Sequence, residues 1–294
     1  MNRVLVTGGT GMVGKHLQEI LPDAIYIGSE VDLRDWQVVN EYFNKTKPTH
    51  VIHLAAKVGG IQDNISSPAE YFDDNILMNM NVLKASKLYG VKRFVGVLST
   101  CIYPDVVESY PMIEEDLFKG PPAETNFSYG YAKRCLAVQI DAYNKQYGTN
   151  YNYIIPCNLY SEYDNFSNDK KMHFITALLK KIKESESCLE LLGTGKPLRQ
   201  FMYGGDLARV IKIIINKDII KSFNVACSEV YSIDHMARMA LEVTGKNLEI
   251  KYSSPELDGQ YRKDVKSDRL KTIMPEFNFT GFRSGIWRVY DKIS

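Results

Sequence analysis

The chain has 294 residues, of which 45% are hydrophobic and 24% are charged, and its formal net charge is +1. This composition is typical of an ordinary globular protein of one or two lobes, and it offers no basic excess for binding nucleic acid. The sequence has no apolar stretch long enough to span a membrane, and it passes directly from Met1-Asn2-Arg3 into a strand-like run, so we expect no signal peptide. We therefore predict a cytoplasmic protein that binds neither nucleic acid nor a membrane.

The number and spacing of the cysteines are also typical of a cytoplasmic protein. Cys101, Cys135, Cys157, Cys188 and Cys227 show neither CxxC nor metal-ligand spacing. Their odd number argues against a disulfide framework. We predict no metal site and a reducing environment.

The first half of the chain alternates strand-like and helix-like segments. Strands are predicted over 4–6, 24–27, 51–56, 93–98 and 151–155, and helices over about 12–21, 35–46, 68–89 and 128–147. In the second of these helices the residues Trp36, Val39 and Phe43 recur at helical spacing. The alternation predicts an α/β fold with a Rossmann-type, doubly wound parallel sheet.

Beyond about Pro156 the rhythm changes. Residues 158–171 are polar and aromatic without a clear period, which predicts a long loop, and helices are predicted over 173–184, 206–216 and 232–244, the last with Ser232 as its N-cap. Strands are predicted over 189–192 and around 199–203, and residues 206–216 and 223–225 are predicted to return to the main sheet. The result is a large domain of residues 1–156 plus parts of 204–228, and a smaller, discontinuous α/β lobe of 157–203 and 229–294.

A glycine-rich turn follows the first strand and opens the first helix. Gly8, Gly11 and Gly14 stand at three-residue spacing in Thr7-Gly8-Gly9-Thr10-Gly11-Met12-Val13-Gly14. Glycines in this context permit a tight turn and a close approach of the backbone to a pyrophosphate, which the helix N-terminus would bind. A purely structural turn is the alternative. We predict a dinucleotide site here.

The residues after the second strand bear on the adenosine end of that site. Asp32 would accept a bond from the adenine amine or, alternatively, cap the following helix. No arginine stands in Gly28-Ser29-Glu30, and an inward Glu30 would repel the 2′-phosphate of NADP, although Ser29 or a residue from elsewhere could bind it. This segment leaves the choice between NADP and NAD open.

A phenol and an ammonium stand four residues apart in Tyr129-Gly130-Tyr131-Ala132-Lys133, on one face of a predicted helix. The ammonium of Lys133 would lower the pKa of Tyr129 from about 10, and it would also hold a nicotinamide ribose. Ser99 ends the fourth strand, at the sheet edge where ligands bind, and its hydroxyl would hold a carbonyl oxygen while Tyr129 protonates it. Each residue alone has an ordinary surface or loop explanation, but the combination predicts carbonyl reduction.

Together these features resemble the extended short-chain dehydrogenase/reductases and, among them, the GDP-L-fucose synthase family. The resemblance covers nearly the whole chain. Its specific motifs are Pro48-Thr49-His50-Val51-Ile52-His53-Leu54-Ala55-Ala56, Val58-Gly59-Gly60-Ile61, Leu98-Ser99-Thr100-Cys101-Ile102-Tyr103-Pro104, Tyr131-Ala132-Lys133-Arg134, Asp164-Asn165-Phe166, His173 ahead of a helix, Gly193-Thr194-Gly195-Lys196-Pro197-Leu198-Arg199-Gln200-Phe201 and Asp258-Gly259-Gln260.

The resemblance implies an NADPH-dependent enzyme, with NAD possible, that reduces C4 of a GDP-linked 4-keto-6-deoxy sugar. Ser99, Tyr129 and Lys133 match the family's reductase triad, and Cys101 and His173 match its acid/base pair for epimerisation at C3 and C5. A thiol and an imidazole suit proton exchange at carbons beside a ketone, because both titrate near neutral pH. Otherwise Cys101 would be a small core residue and His173 a helix cap. The family also implies a homodimer.

The resemblance also implies two sets of binding residues, the large domain taking the dinucleotide and the smaller lobe the sugar nucleotide. The cofactor contacts are Gly8, Thr10, Gly11, Met12, Val13, Gly14, Asp32, Leu33, Leu54, Ala55, Ala56, Asn75, Leu98, Tyr129, Lys133, Pro156, Asn158, Leu159 and His173. The substrate contacts are Val58, Gly59, Ser99, Thr100, Cys101, Asn126, Asn158, Lys181, Arg199 and Arg262. Arg199 matches the family's phosphate or ribose contact, whereas Lys181 is equally well explained as a solvated surface charge.

Two departures from the family pattern leave alternatives open. Ser161-Glu162-Tyr163 interrupts the usual Asn-Leu-Tyr-Gly-Pro, and Gly204-Gly205 stands where the family often has Val-Asp. We expect these changes to border the substrate pocket. They leave room for a GDP-4-keto-heptose substrate or for C4 reduction without epimerisation. A 4-epimerase or dehydratase that retains NAD is a further alternative, although dehydratases usually place Asp-Glu where this chain has Cys101-Ile102. A non-catalytic dinucleotide-sensing protein is the alternative from another class.

Overall fold

The computed structural model describes residues 2–166, 172–255, 258 and 260–293. The strands are β1 (Val4–Thr7), β2 (Ile25–Ile27), β3 (His50–His53), β4 (Arg93–Val97), β5 (Asn152–Pro156), β6 (Asn158–Tyr160), β7 (Cys188–Leu191), β8 (Leu198–Arg199), β9 (Phe201–Tyr203), β10 (Phe223–Val225), β11 (Tyr231–Ser232), β12 (Glu249–Tyr252) and β13 (Arg262–Lys263). The helices are α1 (Met12–Ile20), α2 (Trp36–Thr46), α3 (Ile61–Ser66), α4 (Pro68–Leu88), α5 (Phe127–Tyr147), α6 (Phe174–Glu184), α7 (Gly204–Asn216), α8 (Ile233–Thr244), α9 (Asp268–Ile273) and α10 (Phe282–Ile293).

A six-stranded sheet in the order β10-β5-β4-β3-β1-β2 forms the centre of the large domain, and every pair of neighbours in it is parallel. All residues of β1, β3 and β4 are buried, as expected for strands covered on both faces. The predicted doubly wound sheet is confirmed. Because the chain runs outward from β1 to β2 and then crosses back to β3, the topological switch point lies between β1 and β3, where α/β proteins bind ligands.

Helix ends in the large domain follow local side-chain chemistry. Asp35, rather than Asp32, is the N-cap of α2, and its carboxylate accepts hydrogen bonds from the backbone N–H of Gln37 and Val38. Asp32 therefore does not cap α2, but its carboxylate does form an Asx turn, because it accepts from the backbone N–H of Arg34 at 3.0 Å. At the other end of the domain, α5 terminates at Gly148, whose φ of +65° closes the helix in a left-handed conformation.

The smaller lobe contains three small sheets. β7 pairs with β12, β8 lies between β11 and β13, and β6 pairs in parallel with β9. Its own core includes the buried side chains of Tyr160, Leu179, Leu189, Met236 and Ile286. The N-cap prediction for α8 is confirmed, because the Ser232 hydroxyl accepts from the His235 N–H at 3.1 Å.

The predicted long loop over 158–171 is wrong at its start, where β6 forms, and its end at 167–171 lies outside the described residues. The strand is only three residues long, too short for a periodic pattern. The strand predicted around 199–203 divides into β8 and β9.

Two segments bear on the predicted domain boundaries. β10 joins the large sheet beside β5, and α7 packs against α1, as the sequence predicts for residues 204–228. However, Leu270 and Met274 pack into the core of the large sheet, although 229–294 is predicted to belong to the smaller lobe. Among the described residues, no helix is long and apolar enough to cross a membrane, and no group of three or more His, Cys, Asp or Glu side chains is arranged to hold a metal ion.

Candidate active site

The glycine turn lies at the switch point and is shaped by close backbone contacts. Gly8 has a φ of +71°, and a Cβ atom on it would lie 2.7 Å from the Ala55 amide nitrogen in the loop after β3. A Cβ atom on Gly14 would lie 2.3 Å from the Gly9 carbonyl oxygen. Gly11 is the N-cap of α1 and offers no side-chain cap, so the first N–H groups of the helix are available to a phosphate.

The loop after β3 faces this turn and contains Leu54, Ala55 and Ala56. Asn75 of α4 is fully buried and holds the loop, because it accepts from the Lys57 N–H and donates to the Lys57 carbonyl oxygen, both at 3.1 Å. Further along, Val58 is exposed, and a Cβ atom on Gly59 would collide with the Tyr71 hydroxyl. The structure thus gives Asn75 a positioning role, and direct contact with a cofactor stays a prediction.

The adenosine end of the crevice carries charged side chains that are already paired. Asp32 accepts from the Arg34 guanidinium at 2.8 and 2.9 Å, and Arg34 also reaches Asp74 at 3.2 Å. Leu33 is buried in the core. The Glu30 carboxylate turns back to accept from the Gly28 N–H at 2.6 Å, and this hydrogen bond lowers the pKa of Glu30. A negative charge therefore stands beside the end of β2.

Ser99 follows β4 after Leu98 and is the N-cap of a short 3₁₀ turn that begins with Thr100 and Cys101. Helix α5 brings Tyr129 against this turn, and Gly130 permits the approach: a Cβ atom there would lie 2.8 Å from the Cys101 carbonyl oxygen. The Ser99 hydroxyl accepts from the Cys101 N–H at 3.3 Å, and hydrogen bonding with Ser99 lowers the pKa of both the Tyr129 phenol and the Cys101 thiol. The structure therefore brings Ser99, Cys101 and Tyr129 together at the carboxyl edge of the sheet.

Burial dominates the protonation of Tyr129 and Lys133. Desolvation raises the pKa of the Tyr129 phenol far above its usual range, and the charge of Cys101 raises it further, while the hydrogen bond with Ser99 opposes them. Lys133 is 2% exposed, donates to the Val97 carbonyl oxygen at 3.0 Å, and has its pKa lowered by desolvation to about 8. The structure differs here from the expectation that Lys133 lowers the pKa of Tyr129, because helical spacing does not reveal how deeply the pair is buried.

Cys101 has a partner that the sequence did not point to. The Lys263 ammonium on β13 donates to the Cys101 sulfur at 3.0 Å. Desolvation raises the pKa of the thiol, but the charge and hydrogen bond of Lys263, together with the Ser99 hydroxyl, outweigh it and bring the net pKa below its ordinary value. The only available signal was the position of Lys263 next to Arg262, which was itself predicted as a substrate contact.

His173 has a carboxylate partner. Its Nδ1 lies 2.9 Å from Oδ1 of Asp164, whose side chain is buried and also accepts from the Thr176 hydroxyl. Desolvation lowers the pKa of His173, but the hydrogen bond and charge of Asp164 outweigh it, so the net pKa is raised. His173 occupies the N-cap position of α6 without capping it, and the contacts with Asp164 engage its Nδ1. Asp164 belongs to a motif found in the sequence, but its role was not predicted.

The predicted nucleotide contacts lie mainly in the smaller lobe and differ in how far they are already engaged. Arg199 is partly buried, donates to the Leu198 carbonyl oxygen at 2.9 Å, and has its pKa lowered by desolvation. Arg262 pairs with Asp264 at 2.6 Å, so its charge is largely neutralised. Lys181 is exposed and donates to the Glu190 carbonyl oxygen at 3.2 Å. In the large domain, Asn126 lies at the N-cap of α5.

Asn158 and Leu159 form β6 directly after Pro156 and Cys157. The Asn158 amide donates to the Gln200 carbonyl oxygen at 3.0 Å and so fixes this strand to the segment that joins β8 and β9. Three residues of the large domain's edge, Leu98, Thr100 and Pro156, are buried or end their strands, so they would meet a ligand mainly through backbone atoms.

The residues that depart from the family pattern pack against α1. The Ser161 hydroxyl lies 2.7 Å from Nε2 of His16, and the ring of Tyr163 lies 4.8 Å from the His16 ring. A Cβ atom on Gly204 would lie 3.5 Å from His16. The structure thus places the side chains of Ser161 and Tyr163 on helix α1, where they accommodate a buried histidine, and the expectation that they border the substrate pocket finds no support in these contacts.

The switch-point crevice with its glycine turn defines a dinucleotide-binding enzyme of the α/β class. The profile of the NAD dependent epimerase/dehydratase family matches residues 4–226. GDP-L-fucose synthase of Dictyostelium discoideum is 37% identical to this chain over an alignment of 300 positions, gaps included. The alignment covers 96% of this chain and 92% of that protein. The chain therefore belongs to the NAD dependent epimerase/dehydratase family and, within it, to the GDP-L-fucose synthase family.

Solved structures agree with this assignment over the whole length. A GDP-L-fucose synthetase from Naegleria fowleri bound to NADP is 32% identical with a TM-score of 0.90, covering 99% of this chain and 92% of that one. A GDP-mannoheptose C4 reductase from Campylobacter jejuni with NADP bound is 26% identical with a TM-score of 0.87, covering 99% of this chain and 98% of that one. Both are similar proteins that carry NADP.

Proposed function

We propose that this protein uses NADPH to reduce C4 of a GDP-linked 4-keto-6-deoxy sugar and epimerises C3 and C5 of the same sugar. The observation that carries the proposal is the placement of Ser99, Cys101 and Tyr129 together at the end of β4. A proton donor for the C4 oxygen and an acid/base group for a neighbouring carbon are thereby provided in one place. The similarity to GDP-L-fucose synthases supports the substrate class.

The reductive half needs an acid at neutral pH. Burial keeps the Tyr129 phenol protonated, so it can give its proton to the oxygen that becomes the C4 hydroxyl. Ser99 shares a hydrogen bond with Tyr129, and its hydroxyl would orient the same carbonyl oxygen. Lys133 is placed one helical turn after Tyr129, where it would hold the ribose of the cofactor.

The epimerising half needs one group that removes a proton and one that returns it on the other face. Protons on carbons beside a ketone are acidic because the resulting carbanion is delocalised as an enolate. Lys263 favours the thiolate of Cys101, which can act as a base, and Asp164 favours the imidazolium of His173, which can act as an acid. The two pKa shifts therefore have opposite directions, the one favouring a base and the other an acid.

The residues of the crevice fit NADPH, which supplies the hydride when it is bound. Gly8 and Gly14 leave no room for side chains, and the uncapped N-terminus of α1 can hold the pyrophosphate. Thr10, Gly11, Met12 and Val13 complete this turn, and the loop from Leu54 to Ala56 faces it. The Glu30 carboxylate at this end opposes a 2′-phosphate.

The GDP moiety would be held by the smaller lobe. Arg199 is the strongest candidate for a phosphate contact, because the described residues give it only backbone hydrogen bonds and leave its charge without a paired carboxylate. Arg262, already paired with Asp264, is a weaker one. Lys181, Asn126, Asn158, Val58 and Gly59 remain proposed contacts.

We also propose a homodimer that forms through α4 and α5, which pack side by side. Their outer faces expose Leu77, Met80 and Leu88 of α4 and Phe127 and Val138 of α5. Association of two copies through these helices would remove large exposed apolar side chains from water.

A single incubation tests the proposed function. Purified protein is mixed with NADPH and GDP-4-keto-6-deoxy-mannose, and the product is identified by NMR. GDP-L-fucose is expected. Cofactor oxidation with retained configuration at C3 and C5 would instead identify a C4 reductase, and release of NAD from the denatured protein without net oxidation would identify a cofactor-retaining 4-epimerase. Absence of turnover with this sugar but turnover with a GDP-4-keto-heptose would assign the heptose substrate.

A further inference from the structure

The contact between Lys263 and Cys101 joins the two lobes. Cys101 follows the central strand β4 of the large sheet, whereas Lys263 lies on β13 in the smaller lobe, 162 residues later. β13 pairs in parallel with β8, and this register places Lys263 opposite Arg199. One small sheet therefore carries both a proposed phosphate contact and the cation that touches the thiol.

The charges around Cys101 make Lys263 the main electrostatic influence on it. On the α5 side the thiol faces the Tyr129 phenol, which burial keeps neutral. The neighbours of Lys263 are already neutralised, since Arg262 pairs with Asp264 and Lys266 pairs with Asp268. In the described part of the chain, no carboxylate lies within ion-pair distance of Lys263 itself.

We propose that Lys263 is a positioning residue that stabilises the thiolate form of Cys101 and so sets the pH range in which the sulfur can remove a proton from the sugar. This inference rests on the proposed epimerising role of Cys101. An ammonium 3.0 Å from a sulfur in a partly buried site stabilises the anion strongly, because little water screens the pair. The same contact fixes the sulfur on the side of the site that faces the smaller lobe.

The reactivity of the thiol tests this without any sugar. The rate at which iodoacetamide alkylates Cys101 is measured from pH 5 to pH 10 by mass spectrometry of its peptide, in a Cys135→Ser background that removes the exposed cysteine. In the protein that retains Lys263, the pH midpoint of Cys101 alkylation is expected below the ordinary thiol pKa of about 8.5. In Lys263→Met the midpoint should rise by at least about one pH unit, so that alkylation at pH values below both midpoints slows about tenfold or more, and Lys263→Arg should restore most of the rate.

Two controls separate this role from a structural one. Lys266→Met removes an exposed lysine of the same segment and should leave the profile unchanged. The midpoint of the Lys263 protein is decisive even if Lys263→Met does not fold, because an ordinary thiol midpoint would overturn the proposal by itself. An unchanged profile in a folded Lys263→Met would also overturn it.

The proposed function has a separate readout. If the protein exchanges no deuterium into the sugar from D₂O while Cys101 still titrates low in a Lys263-dependent way, the epimerase proposal fails and the electrostatic role of Lys263 stands. If exchange occurs, its pH profile should shift upward in Lys263→Met by the same amount as the alkylation profile.

Discussion

The two proton-handling pairs of the site differ in how the protein treats their charge. Tyr129 and Lys133 are buried and hydrogen-bond to uncharged groups, the Ser99 hydroxyl and the Val97 carbonyl, and burial is the main cause that pushes both toward their neutral forms. Cys101 and His173 instead each face an opposite charge, from Lys263 and Asp164. The acid that protonates the C4 oxygen must keep its proton until reduction. An epimerising pair instead needs one deprotonated group that acts as the base and one protonated group that acts as the acid. The difference indicates that the two halves of the reaction can be disabled separately.

The largest effect is expected from Tyr129→Phe. Loss of the phenol that is proposed to protonate the C4 oxygen should slow NADPH oxidation about 10²- to 10⁴-fold. Stopped-flow absorbance at 340 nm with saturating sugar measures it. Tyr131→Phe, two residues along the same helix, is the matched control and should be close to unchanged. Comparable losses in both variants would show that the effect comes from packing of α5.

Asp164→Asn should lower the rate of epimerisation about 100-fold, while the variant should still reduce a sugar that is already epimerised. Without the carboxylate, the charge that raises the pKa of His173 is gone, so the imidazolium is lost at lower pH and the pH optimum of exchange moves down. NMR of deuterium exchange between pH 5 and 9 records the shift.

Thr176→Val is the control for this change, because it removes a neighbour of Asp164 but leaves the charge. A pH optimum that stays in place in Asp164→Asn would rule out the dyad.

The Lys133→Met variant tests whether burial opposes the charge of Lys133, and the quantity measured is the free energy of unfolding. The pKa of Lys133 in the folded protein is about 8, below its unfolded value of 10.5, so the folded state binds fewer protons between these values and gains stability as pH rises through that window. Below pH 8 Lys133 is charged in the folded protein, and burying this charge lowers the free energy of unfolding by about 3 kcal/mol. The hydrogen bond to the Val97 carbonyl oxygen offsets about 1 kcal/mol of this cost.

Lys133→Met should therefore raise the free energy of unfolding at pH 7 by about 2 kcal/mol while it weakens NADPH binding. Urea titrations at pH 7 and pH 10 measure the difference, which should shrink at the higher pH. A variant that is less stable at pH 7 would contradict this account.

The smallest effect is expected from Glu30, whose carboxylate lies after β2, where the adenosine end of NADPH is predicted to bind. Glu30→Gln should improve KM for NADPH several-fold and leave KM for NADH nearly unchanged, because the carboxylate opposes only the 2′-phosphate. Steady-state kinetics with both cofactors give the ratio. Equal changes in both KM values would assign Glu30 a purely structural role at Gly28.

The sequence was most informative where chemistry depends on neighbours in the chain. The glycine turn, the Tyr129–Lys133 spacing and the strand alternation are local patterns, and the sheet they predict is confirmed. The counter-ion of Cys101 was missed because Lys263 lies 162 residues away in the chain and no periodicity links the two, whereas Asp164 lies only nine residues from His173 but its pairing depends on how the intervening segment folds. The depth of burial that governs Tyr129 likewise depends on how helices pack, which spacing alone does not reveal.

The most direct test of two separable proton-handling pairs is deuterium exchange in D₂O with Tyr129→Phe and Cys101→Ser side by side. We expect Tyr129→Phe to introduce deuterium at C3 and C5 of the 4-keto sugar while it oxidises almost no NADPH. Cys101→Ser should introduce little deuterium at either carbon. Absence of exchange in Tyr129→Phe, or full exchange in Cys101→Ser, would contradict the assignment.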